Sequence, residues 1–142
     1  MFFDTRTEGG TDDDRPPKLL ELHIVWPWSK MLMRNLSSSL FCDATYNVTV
    51  YEYKVVCITT LDGNNQLRPL MTSFITSSTK EAWQRIFDHF ADQVMADPPQ
   101  MVVVTSDKEQ AIMSGLDVSK LGNDCVHLFC GLHTKWNVQK HK

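Results

Sequence analysis

The sequence lacks long apolar runs, and this excludes a membrane-spanning helix. No uncharged apolar stretch approaches the roughly 18 residues that such a helix needs. The opening residues, MFFDTRTEGGTDDD, become acidic after three positions, which is unlike a secretory signal peptide. A chain of 142 residues with 42% hydrophobic content is long enough to bury one core, so we expect a single soluble, intracellular domain.

Cysteine is scarce, and its placement excludes a disulfide-rich scaffold. The chain has 4 cysteines, most of them within apolar runs: Cys42, Cys57, Cys125 and Cys130. Such positions favour reduced thiols or metal ligands.

Positive charge is not in excess either. The formal net charge is −3. Acidic side chains are concentrated near the start. The first 14 residues contain one basic residue, Arg6, and five acidic ones: Asp4, Glu8, Asp12, Asp13 and Asp14. The rest of the chain is therefore close to neutral. Domains that bind nucleic acid unaided usually carry a dense positive field, so composition alone does not indicate DNA binding.

The chain divides into three parts. Residues 1–17 are polar, acidic and rich in glycine and proline, which predicts a flexible tail. Residues 18–39 form a lead-in segment, predicted as an extended stretch that breaks at Pro27 and continues as a short helix. Residues 40–142 form the main domain.

The main domain begins with three predicted strands. LFCDATYNV and YEYKVVCITTL are rich in β-branched and aromatic residues, and LRPLMTSFIT follows them. DGNN at residues 62–65 has the chemistry of a tight turn between the second and third strands. We therefore expect an antiparallel meander.

An amphipathic helix follows the meander. Its apolar positions recur at helical spacing: Trp83, Ile86, Phe87, Phe90 and Val94. Ser78 and Glu81 have the spacing of a capping box, and Pro98 and Pro99 mark the end of the helix.

The remaining chain alternates strands and helices. MVVVTSD is a continuous apolar run, typical of a strand buried on both faces, and it ends at Asp107. KEQAIMSGL predicts a short helix, CVHLFC a strand, and GLHTKWNVQKHK the start of another helix. The order is β-β-β-α-β-α-β-α, which indicates an α/β fold with a mixed sheet and helices on its faces.

Asp43 is unusual because it lies among apolar neighbours in the first predicted strand. A buried lone carboxylate is costly, so we expect it to have a counter-charge. If the fourth strand pairs in parallel with the first, Asp107 lies beside Asp43. Two such charges about 4 Å apart repel by roughly 4 kcal/mol at an effective dielectric near 20, and a cation such as Mg²⁺ would relieve this.

Four sequence words in this order resemble the catalytic domain of Mutator-like element (MULE) DDE transposases. The words are DATY at 43–46, DGNNQLRPLMTSF at 62–74, TSDKEQAI around Asp107 and CGLHTKWNVQK at 130–140. The resemblance spans residues 40–142. It implies a ribonuclease H-like fold and places the chain near transposases and the transcription factors that descend from them.

The resemblance also implies a chemistry. Asp43 and Asp107 would be catalytic and would bind Mg²⁺ or Mn²⁺ together with a later glutamate, for cleavage and transfer of DNA strands. The implied partner is DNA at transposon ends, the protein would be a homo-oligomer in the nucleus, and no membrane is involved. Cys130 and His133 would be the family's C-x-x-H pair, either holding Zn²⁺ or bracing the fold.

The sequence departs from the family pattern at the third acid. The family glutamate follows the C-x-x-H word after a helical insertion, whereas this chain stops at Lys142. Glu109 and Asp117 lie too close to Asp107 to replace it. We therefore expect a partial, C-terminally incomplete core that is inactive alone. Two alternatives stay open: a non-catalytic module that binds DNA or protein, and a small zinc module that uses Cys125 or His127 as further ligands.

Overall fold

The computed structural model describes residues 1–8, 18–35, 39–46, 52–95 and 101–131. The strands are β1 Phe2–Glu8, β2 Lys18–Val25, β3 Ser39–Thr45, β4 Lys54–Leu61, β5 Leu67–Ile75, β6 Val102–Ser106 and β7 Cys125–Phe129. The helices are α1 Ser29–Asn35, α2 Lys80–Val94 and α3 Gln110–Val118, followed by a single 3₁₀ turn, Gly122–Asp124. Within these ranges, no helix is long and apolar enough to cross a membrane.

The strands form one seven-stranded mixed sheet in the order β1-β2-β5-β4-β3-β6-β7. Strands β3, β4 and β5 are the predicted antiparallel meander. Strand β6 pairs in parallel with β3, and β7 pairs in parallel with β6. The predicted α/β order is therefore confirmed as far as β7, while the final predicted helix falls beyond the described residues after Gly131.

The turn between β4 and β5 is held by one aspartate. Oδ1 of Asp62 accepts hydrogen bonds from the backbone N–H groups of Asn64 and Gln66 at 2.8 and 3.0 Å. Asn65 has a φ of 59°, a left-handed conformation that asparagine tolerates better than most residues. The DGNN signal thus predicted the turn correctly, because its side chains close the turn locally.

Helix α2 carries the apolar face that its spacing predicts, but its start differs from the prediction. Trp83, Phe87 and Phe90 are fully buried. The N-cap residue is Thr79, whose side chain accepts from the backbone N–H of Ala82 at 3.3 Å. Ser78 is not the cap, because its hydroxyl is bonded to the Glu109 carboxylate instead.

The described helices lie on one face of the sheet, while the last predicted helix falls in residues that the structure does not describe. Helices α1, α2 and α3 share a single apolar core with the inward residues of the strands. Strand β6 shows the consequence: Val102 and Val104 are buried, whereas Val103 and Thr105 on the other face are half-buried. Its apolar run therefore does not mean full burial on both sides.

The N-terminal region corrects another expectation. Residues 1–17 were predicted to be a flexible tail, but Phe2–Glu8 form β1, the edge strand, antiparallel to β2. The glycine-rich residues 9–17 lie outside the described part. The lead-in segment is confirmed as an extended stretch and a short helix, although β2 also joins the sheet beside β5. The alternation of side-chain types in the first eight residues is too short to predict a strand in a segment of acidic composition.

A buried ion pair fastens these N-terminal strands to α2. Glu21 is only 4% exposed, and the Nε–H of Arg85 donates to its two carboxylate oxygens at 3.1 and 3.0 Å. Arg6 and His23 lie 3.6 Å from the same carboxylate. Burial raises the pKa of Glu21, but hydrogen bonds from His23 and Arg85 outweigh it and lower the pKa to about 2.

Replacing Arg85 with methionine should lower the free energy of unfolding by about 3 kcal/mol, because it leaves the Glu21 charge buried without its main partner. The control is Lys120→Met, which breaks the exposed pair with Asp92 and should cost less than about 1 kcal/mol. Urea denaturation measures both. Equal costs would show that the Glu21 pair is no stronger than a surface pair.

The pKa of Glu21 also predicts how stability depends on pH. Since the folded pKa lies below the unfolded one, the pair stabilises the fold fully above about pH 4.5, and this contribution disappears as pH falls toward 2. In Glu21→Gln, the free energy of unfolding should therefore vary less with pH across that range. Denaturation curves at successive pH values, compared with wild type, provide the measurement.

Helix α3 packs closely on α2 at a glycine. A Cβ added to Gly115 would lie 2.5 Å from the Cβ of Trp83 and 2.9 Å from the carbonyl oxygen of Lys80. Gly115→Ala should therefore destabilise the protein by about 2 kcal/mol, although alanine favours helix by about 1 kcal/mol. Asp117→Ala, exposed on the same helix, should change stability by less than about 0.5 kcal/mol. A more stable Gly115→Ala variant in thermal denaturation would contradict this packing.

Candidate functional site

The carboxyl ends of β3 and β6 bring Asp43 and Asp107 to the same level of the sheet. The last pair of the parallel ladder is Cys42 with Ser106; Asp43 is the next residue of β3, and Asp107 is the first residue after β6. Neighbouring strands lie about 4.8 Å apart, so the two backbones are adjacent at this point. The parallel pairing expected from the sequence is confirmed, while the role of the two carboxylates stays a prediction.

Asp43 is exposed, which corrects the expectation of a buried carboxylate. The pleat explains this, because Leu40 and Cys42 face the helices and Asp43 faces the opposite side. Across the neighbouring strand it pairs with Cys57. Burial raises the pKa of the Cys57 thiol, and the negative charge of Asp43 raises it further. Asp43 therefore places negative charge on the open face of the sheet without a buried ion pair.

Asp107 does not cap the helix that follows it. Its Oδ1 accepts from the backbone N–H of Lys108 at 2.6 Å, and α3 begins at Gln110 with Glu109 as N-cap. Aspartate close before a helix is usually explained by capping. Capping of α3 therefore does not explain the half-buried Asp107, whose carboxylate bonds to the loop residue Lys108 instead.

Glu109, dismissed on spacing alone, is hydrogen-bonded to two other segments at this end of the sheet. Its carboxylate accepts hydrogen bonds from the hydroxyls of Tyr46 and Ser78, both at 2.6 Å. The indole N–H of Trp83 donates to the Ser78 hydroxyl at 2.9 Å. Burial and the bond to Glu109 raise the pKa of Tyr46 to about 12, so this hydroxyl stays protonated.

The two aspartates and Glu109 do not make one three-ligand cluster. Within the described ranges, no group of three or more acidic, histidine or cysteine side chains is arranged to hold a metal. That Glu109 does not replace the third acid stays a prediction. One signal for Glu109 was overlooked, because glutamate is a poor N-cap residue and its side chain makes no capping bond to α3.

The cysteine and histidine residues are only partly described. His133 lies outside the described residues, and Cys130 follows β7 with its backbone N–H donating to Ser106 O at 2.8 Å. His127 Nε2 lies 2.8 Å from the Ser106 hydroxyl. That hydroxyl donates its proton to the carbonyl of Asp107, so His127 is the donor to it. Burial lowers the pKa of His127, which favours a neutral ring.

Two lysines flank the carboxylates. The ammonium group of Lys54 lies 4.8 Å from the centre of the Tyr46 ring, and that of Lys108 lies 5.8 Å from the centre of the Phe129 ring. Both are cation–π distances. The carboxylate end of the sheet is therefore bordered by positive groups, an arrangement suited to an anionic polymer that must approach a bound cation.

Comparison with known proteins identifies a family. No curated protein matches the chain, and no solved structure does so. The family model described as MULE transposase domain matches residues 39–137, which is more than half of the 142 residues and includes both aspartates. On this match, the chain belongs to the MULE transposase domain family.

Proposed function

We propose that this chain is part of a DDE transposase core with a ribonuclease H-like fold, in which Asp43 and Asp107 bind Mg²⁺ or Mn²⁺. The observation that carries the proposal is the parallel pairing of β3 with β6, which brings the two aspartates to one level. Family membership supports a transposase-related function. The donor set also fits, because Mg²⁺ is commonly held by one or two carboxylates and keeps several waters.

In this proposal, the two aspartates bind the metal and two lysines bind the DNA backbone. When bound, a divalent cation at Asp43 and Asp107 would lower the pKa of a coordinated water or 3′-hydroxyl and stabilise charge at the phosphodiester. The two carboxylates supply negative charge on the open face and fix its position at the strand ends. Lys54 and Lys108 contact backbone phosphates on either side. From the family we infer that the partner is DNA at transposon ends, and that the full-length protein acts as a homo-oligomer in the nucleus.

Among the described residues, no third acidic ligand accompanies Asp43 and Asp107, and two carboxylates alone should bind metal but cleave poorly. Glu109 is engaged by Tyr46 and Ser78, so it is not available in this arrangement. This engagement favours a second candidate function, a non-catalytic module that binds DNA or protein. Zinc at Cys130 and His133 is a separate proposal, and His127 is already committed to Ser106.

Titration calorimetry with Mn²⁺ and Mg²⁺ tests the proposed site. Wild type should show saturable binding that Asp43→Asn and Asp107→Asn each weaken by at least about tenfold, since each removes one of two charged ligands. Asp117→Asn is the matched control, because Asp117 is exposed on α3 away from the strand ends, and it should bind like wild type. Binding that is indifferent to both strand-end changes would refute the site.

A site that concentrates negative charge should also limit stability when no metal is present. Asp43→Asn should raise the free energy of unfolding by about 1 kcal/mol in EDTA, because it removes the repulsion between the carboxylates of Asp43 and Asp107. Added Mn²⁺ should reverse the order and make wild type the more stable protein. Thermal denaturation in both conditions gives the comparison. If Asp43→Asn is instead less stable than wild type in EDTA, the Asp43 carboxylate has a structural partner.

A further inference from the structure

The contacts of Glu109 tie together three segments that meet at the carboxylate end of the sheet. Tyr46 follows β3, Ser78 precedes the N-cap of α2, and Glu109 ends the loop between β6 and α3. The carboxylate accepts one hydroxyl hydrogen bond from each of the other two segments at 2.6 Å. Hydrogen bonds to an ionised group are shorter and about twice as strong as neutral ones.

The same loop carries Asp107, two residues before Glu109. The ladder between β3 and β6 ends at Cys42 and Ser106, so the β3 pairing does not hold the backbone of Asp107. Tyr46 and Glu109 supply a contact between the two strand ends beyond the last ladder pair. Ser106, the last ladder residue, holds the Asp107 carbonyl through its hydroxyl at 2.9 Å, and the Tyr46–Glu109 link adds a second restraint on this loop from the β3 side.

We propose that Glu109 is a positioning residue that, through Tyr46 and Ser78, holds the Asp107 loop in register with β3 for divalent-metal binding. The proposal rests on the proposed metal site and adds a role for a carboxylate that does not touch the metal. The side chain of Glu109 makes no capping bond to α3, which agrees with this use. Trp83 completes the link, because its indole N–H donates to Ser78 from within the buried face of α2.

Two variants test the link with little change in shape. Glu109→Gln keeps the side-chain size but removes one acceptor, and Tyr46→Phe removes only the hydroxyl. Each should weaken Mn²⁺ binding by about tenfold in calorimetry, as loss of a supporting contact to a metal site commonly does. The double variant should lose little more Mn²⁺ affinity than the weaker-binding single variant, because both substitutions break the same interaction. Glu8→Gln, exposed on the distant edge strand β1, is the matched control.

A second measurement needs no metal. The backbone N–H of Lys108 donates to Asp107 and so reports on the order of this loop. Its hydrogen–deuterium exchange in EDTA should accelerate by at least about tenfold in Glu109→Gln and Tyr46→Phe, and stay at the wild-type rate in Glu8→Gln. Exchange of core amides in α2 should not change, which separates local loosening from global destabilisation.

The outcomes distinguish this proposal from the proposed function. If wild type binds Mn²⁺ and both variants bind equally well, the positioning role is overturned while the metal site stands. If wild type does not bind Mn²⁺, the proposed function fails, and Lys108 exchange alone decides whether Glu109 orders the loop. Unchanged exchange in both variants overturns the positioning role in either case.

Discussion

Burial of one face of α2 against the sheet is the constraint on which the rest of the fold depends. Trp83, Phe87 and Phe90 are fully buried, and they can be so only if the helix lies across the strands of the meander. A helix in that position carries the chain from β5 back along the sheet, so that β6 pairs in parallel with β3. The proximity of Asp43 and Asp107 is thus a consequence of apolar burial on the other face.

The carboxylates of this protein differ in burial and in whether a basic side chain pairs with them. Glu21 is buried and offset by Arg85, with Arg6 and His23 nearby, and this fastens the N-terminal strands to α2. Asp43 and Asp107 have no comparable basic partner among the contacts described for them, and they lie where water and ions have access. One acid is therefore offset by basic groups, whereas the two others lie at neighbouring strand ends, at one level of the sheet.

The sheet extends beyond the residues that the family model matches. Strands β1 and β2 precede residue 39, yet β2 pairs with β5 in the same sheet. The Glu21–Arg85 pair adds a side-chain link between β2 and α2 to this backbone pairing. The matched domain and the N-terminal strands are therefore one structural unit, joined by backbone pairing and by one buried charge interaction.

Local signals in the sequence determined most of the elements. The DGNN turn, the apolar face of α2 and the order of strands and helices follow from nearest-neighbour chemistry, and family membership follows from short words around Asp43 and Asp107. Side-chain direction was harder to predict. The exposure of Asp43 depends on which face of the sheet the helices cover, and that choice is made by packing over the whole chain.

Contacts between distant segments were decided only by the tertiary structure. The strand β1 has little pattern of its own and is defined by its partner β2. The N-cap of α2 is Thr79 and not the predicted Ser78, because the Ser78 hydroxyl donates to Glu109, 31 residues away in the chain. Sequence spacing records what lies within a turn or a strand, whereas these hydrogen bonds form between groups that only the folded sheet brings together.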